Sequence, residues 1–87
     1  MSIKVYNLCY IEDLPKVIET GLSDISVSDM IDFLELEYQS ELKKTLLADG
    51  MLAEKVRVSI DGRSIYDLET IIYSGSQLMF SIMLAGG

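Results

Sequence analysis

The chain has 87 residues, 49% of them hydrophobic, enough for one modest core and too few for two, since domains of this size bury only ~60% of the surface their unfolded chains expose. The 14 acidic residues against 7 basic ones give a formal charge of −7, which works against binding nucleic-acid phosphates or anionic membranes and favours a partner with a basic docking face. With no histidine and a single cysteine, Cys9, a disulfide framework, a zinc site, a Cys-His dyad and a Ser-His-Asp triad cannot be assembled within this chain, and neither a metal nor a resident cofactor is expected.

The opening run, Ile3 to Tyr10, is rich in β-branched and aromatic residues and predicts a strand rather than a signal sequence; Glu12, Asp13 and Pro15 end it. Lys16 to Leu22 predicts a second strand paired to the first as a hairpin, weakened at its end by Gly21. Ser26 and Asp29 have the spacing of a capping box, with Ile25 and Met30 placed as a hydrophobic staple. The helix they start carries Ile31, Leu34 and Tyr38 on one stripe and Asp32, Glu35 and Glu37 mainly on the other side. Gln39 to Ala48 either prolongs that helix or adds a further helical turn, with Asp49-Gly50 as the stop. Val56, Val58 and Ile60 alternate with polar residues, and Asp61-Gly62 predicts a tight turn into a hairpin through Ile65. Asp67 to Tyr73 reads as a connector and Ser74-Gly75-Ser76 as a turn. A last strand then alternates Leu78, Phe80, Ile82 and Leu84 with Met79, Ser81 and Met83. One of these sets must pack beneath the helix and the other face outward; the alternation alone leaves open which. The order strand, strand, helix, strand, short strand, strand predicts an α+β fold, with the first and last strands side by side and parallel.

The sequence ends on Gly86-Gly87, with only Ala85 between the pair and the hydrophobic strand. Glycine has no Cβ to clash and accepts unusual backbone angles, so such an arm suits a narrow active site on another protein. The bland alternative is a frayed terminus. Scattered carboxylates are assigned to solvated surface, and Cys9, alone in an apolar strand, to a small buried hydrophobe rather than a sulfur relay.

Ile3-Lys4-Val5, Val27-Ser28-Asp29-Met30, Val56 to Gly62 and above all the segment GSQLMFSIMLAGG from Gly75 to Gly87 resemble the family containing the small subunit of molybdopterin synthase and the sulfur carrier of thiamine biosynthesis. The resemblance spans essentially the whole chain. It implies a ubiquitin-like β-grasp, a mixed sheet packed on one main helix, with residues 1–85 as the domain and 86–87 as a flexible tail. It implies that the Gly87 carboxyl is the working group, adenylated by an E1-like, ATP-dependent enzyme and converted to a thiocarboxylate with sulfur from a donor such as a persulfide-bearing desulfurase. Gly86, Ala85, Leu84 and Phe80 are then the expected partner-binding residues. A larger synthase subunit is a further possible partner, and the setting is cytoplasmic. The chain would act as a carrier, not as an enzyme. Gly75-Ser76 stands where the family usually has Gly-Asp, and Ile82-Met83 where the molybdopterin branch commonly has two prolines. The tail is in that respect closer to the thiamine branch, while the length and the segment from Tyr38 to Gly50 are closer to the molybdopterin branch. Two other readings use the same fold: a ubiquitin-like modifier conjugated to lysines through the same tail, and a non-catalytic β-grasp interaction module.

Overall fold

Residues 2–9 and 11–82 are described by the computed structural model. The apolar run at the start forms β1 (Lys4–Leu8), and the run after Pro15 forms β2 (Val17–Glu19), antiparallel to it with Val5 opposite Ile18. A two-residue strand, β3 (Ile25–Ser26), leads directly into helix α1 (Val27–Tyr38). The hydroxyl half of the expected capping box forms: Ser26 Oγ accepts the Asp29 amide at 3.0 Å. The two amides ahead of it are satisfied by carbonyls of the later connector, Val27 N donating to Thr70 O at 2.9 Å and Ser28 N to Leu68 O at 2.8 Å. Three of the four donors that a helix start leaves without an internal partner are thus accounted for.

The helix does not run on to Ala48. Gln39 takes a left-handed conformation, φ 51 and ψ 42, and its amide closes the last turn on Glu35 O. A short helix, α2 (Leu42–Leu46), follows, tied back by Lys43 N donating to Glu35 Oε2 at 2.8 Å and by a Lys43–Asp32 ion pair. Leu42 and Leu46 are buried as their spacing predicts. Asp49-Gly50 is not a helix stop. With φ of 54 and 78 it is the two-residue turn of a hairpin joining β4 (Leu47–Ala48) to β5 (Met51–Leu52).

The alternating segment forms β6 (Val56–Ile60), turns through Asp61-Gly62 at φ 50 and 86, and returns as β7 (Arg63–Ile65). Within the expected connector, β8 (Ile71–Ile72) pairs antiparallel with β3. The last described strand is β9 (Gln77–Ile82).

The main sheet has the order β2-β1-β9-β6-β7, with β9 parallel to β1 and antiparallel to β6. The first and last strands therefore lie side by side and parallel, as their order implied. One face of this sheet packs on the helices. Val5, Val58, Leu78 and Phe80 meet Met30, Ile31 and Leu34 of α1 and Leu42 and Leu46 of α2, all essentially inaccessible to solvent. The burial of so much apolar surface between one sheet face and one helical layer is what holds the strands in register, since a slip of one residue would turn every core side chain outward.

Candidate functional site

The end of the last described strand is fixed by register. β9 is paired along its length: Asn7 lies opposite Phe80 and Leu8 opposite Ser81 on one side, while Arg57 lies opposite Ser81 and Val56 opposite Ile82 on the other. The four expected tail residues Leu84, Ala85, Gly86 and Gly87 lie outside the described residues. Phe80, expected at the partner surface, is instead fully buried beneath the helices. The pleat gives the reason. Leu78 and Phe80 share the core face with Val5 and Val58, so Met79 and Ser81 take the helix-free face.

That helix-free face has its own composition, with Leu8 opposite Ser81 near the end of β9 and Lys4 opposite Gln77 at its start. By the same alternation it carries Lys4, Tyr6 and Leu8 from β1, Val17 and Glu19 from β2, and Arg57 from β6. Leu8 is 38% exposed and Val17 48%. Among the described strand residues its charges are few: Lys4 Nζ pairs with Glu19 Oε1 at 3.6 Å, and Arg57 Nε donates to Ser64 Oγ at 2.6 Å. Helix α1, which carries Asp29, Asp32, Glu35 and Glu37, packs on the other face of the sheet.

Near the end of β1, one residue does structural work that the sequence reading missed and another does what it expected. Asn7 is buried, and its amide organises the turn after β1: Nδ2 donates to Leu14 O at 3.1 Å and Ile11 O at 3.2 Å, and Oδ1 accepts the Cys9 amide at 3.2 Å. A polar residue in an apolar strand was the available signal. Cys9 is buried as expected, and that burial pushes its thiol up to about 11, so it is protonated at neutral pH and a poor nucleophile. Among the described residues, no three acidic, cysteine or histidine side chains gather as a metal site, and no helix is long and apolar enough to cross a membrane.

No protein-family model matches the chain, and no curated protein matches it. Solved structures do. The crystal structure of SAMP1 from Haloferax volcanii is 19% identical with a TM-score of 0.76, the match covering 100% of both chains. A chain of the BexX/CysO complex of Amycolatopsis orientalis is 20% identical at a TM-score of 0.82, covering 99% of this chain and 100% of that one. A chain from the complex of subunits 1 and 2 of the molybdopterin-converting factor of Helicobacter pylori is 17% identical at 0.64, covering 100% of both. At such identities the likeness establishes the fold. The protein is a ubiquitin-like β-grasp domain, the architecture it shares with these proteins.

Proposed function

We propose that the protein is a sulfur carrier: with Gly87 as the carboxyl terminus of the chain, that carboxyl is adenylated by an E1-like, ATP-dependent partner and converted to a thiocarboxylate for sulfur transfer in cofactor biosynthesis. The observation that supports this most is the strand leading to the tail. β9 sits in the middle of the sheet, paired with β1 up to Ser81 and with β6 up to Ile82, so the sequence runs on to Gly86-Gly87 from a strand held on both sides. The shared fold adds support, since the complexes among the structural neighbours include subunits 1 and 2 of a molybdopterin-converting factor. In this reading residues 1–85 are the domain and 86–87 the presented arm.

The chemistry asks little of the carrier itself. A C-terminal carboxyl has a reference pKa near ~3.5 and is ionised at neutral pH. One of its oxygens attacks the α-phosphorus of ATP and pyrophosphate leaves, giving an acyl-adenylate. Sulfide then displaces AMP from the carbonyl carbon to give the thiocarboxylate; a persulfide donor gives an acyl disulfide that a second thiol must reduce. The partner supplies Mg²⁺ and the groups that stabilise charge at phosphorus. Leu84, Ala85 and Gly86 would line the path of the arm. The role assigned to Phe80 passes to the helix-free face, where Leu8, Val17 and Met79 offer apolar contact beside the exit.

The test is intact-mass measurement after incubation with a cognate adenylating enzyme, Mg-ATP and a sulfur donor. The expected result is one oxygen-for-sulfur exchange, localised to Gly87 and absent from a chain lacking Gly86-Gly87 that still unfolds cooperatively. Sulfur found on Cys9 with Gly87 unchanged would refute it. A second reading is favoured by the likeness to small archaeal modifier protein 1 of Haloferax volcanii: a modifier joined to lysines through the same carboxyl. Recovery of Gly87 in an isopeptide bond, with no thiocarboxylate formed, would select that reading.

A further inference from the structure

Away from the tail, a hollow of about 320 Å³ opens between the β4–β5 hairpin and the connector that follows β7. Met51 and Tyr66 line it side by side with 71% and 86% of their surface exposed, an apolar and an aromatic side chain available to a partner. Leu68 adds apolar wall, and Asp67 and Glu69 supply two carboxylates. Among the described residues, no Lys or Arg lines the hollow. Asp67 is held in place, its Oδ1 accepting the Glu69 amide at 2.9 Å while its carbonyl accepts Thr70. Ser28, in the first turn of α1, also reaches the hollow, but its amide is bonded to Leu68 O, so the field there is set by the carboxylates rather than by the helix start.

We propose that this hollow is a docking site for an arginine- or lysine-bearing, otherwise apolar segment of a partner protein, separate from the surface that presents the tail. The charge complementarity chooses the occupant. A guanidinium or ammonium laid against the ring of Tyr66 gains from the negative face of the π-system and from both carboxylates, while its alkyl stem packs on Met51 and Leu68. Methionine adapts to partners of varied shape, and Tyr and Met are residue types enriched at the centres of interfaces. An acidic or purely apolar segment would leave the carboxylates uncompensated. A second copy of this chain, itself at −7, would bring like charge to like.

The experiment is amide chemical-shift mapping on the full-length, isotope-labelled protein, with a short peptide of alternating Arg and Leu as probe and its Glu-for-Arg counterpart as control. The expected shifts centre on Ser28, Gly50, Met51 and the stretch from Asp67 to Glu69. Tyr66→Ala, at a residue too exposed to matter for folding, is expected to weaken binding ~10-fold, and Asp67→Asn with Glu69→Gln to weaken it comparably. Four results would overturn the proposal: shifts spread over the acidic face of α1 and indifferent to Tyr66→Ala, equal binding of the Glu peptide, no shifts at millimolar peptide, or the same shifts produced by raising protein concentration without peptide, which would make the occupant a second copy.

Discussion

Asn7, in the first strand, and Cys9, just after its end, are both buried and behave oppositely, one fixing a turn through its polar atoms and the other filling space. Replacing Asn7 by Ala removes the side-chain partner of Leu14 O and of the Cys9 amide, while Ile11 O keeps the Leu14 amide as its donor. The expected cost is ~2 kcal/mol, read as a lowered urea midpoint with an unchanged slope. Cys9 gives a pH signature instead. Its folded pKa, about 11, lies above the ordinary thiol value of 9.0 because burial disfavours the thiolate. The unfolded chain therefore releases this proton first. The contribution of Cys9 is undiminished below pH 9 and declines as pH rises through that value toward 11. Denaturation of the protein and of Cys9→Ala across that range is expected to show the fall in the first and a flatter curve in the second.

At the scale of elements, what could be read in advance depended on how many residues carried the pattern. Helix α1 was legible because Ser26, Asp29, Met30, Ile31 and Leu34 each say the same thing about where it starts and which side it buries. β3, β4, β5 and β8 were not, because a two-residue ladder has no period; their pairing is decided by tertiary neighbours. The same limit explains Asp49-Gly50, where one dipeptide suits both a helix stop and a hairpin turn. It explains Phe80 as well: alternation yields two sets of side chains, and only the register against β1 and β6 tells which set faces the helices. The prediction that belongs here compares neighbours on β9. Phe80→Ala is expected to cost ~3–5 kcal/mol through the lost contacts and the cavity left among Val5, Val58 and Leu34. Met79→Ser, on the other face, should stay within ~1 kcal/mol in the same denaturation assay.

For the whole molecule, the uneven placement of charge matters more than its total. The chain carries −7, yet the helix-free face of β1, β2 and β6 contributes only a paired Lys4–Glu19, level with the start of β9, and one further cation, Arg57, level with Ser81 near its end. The carboxylates of Asp32 and Glu37 stand on the helical layer, roughly 10 Å or more behind the sheet, a distance beyond the ~8 Å over which physiological salt screens exposed charges. Read from sequence alone, the net charge pointed to one basic partner. With the charges located, it divides into two surfaces with different salt dependence. A partner that engages the sheet beside the exit through Leu8, Val17 and Met79 is expected to lose less than ~3-fold in affinity between dilute and physiological salt, because little net charge is neutralised there. A basic segment at Tyr66, facing Asp67 and Glu69, is expected to lose ~10-fold over the same range. Titration calorimetry of an adenylating partner and of the Arg-Leu peptide, each at a series of salt concentrations, separates the two. Equal, steep salt dependence for both would mean that the −7 acts as a single diffuse field, and neither surface would then have the selectivity assigned to it.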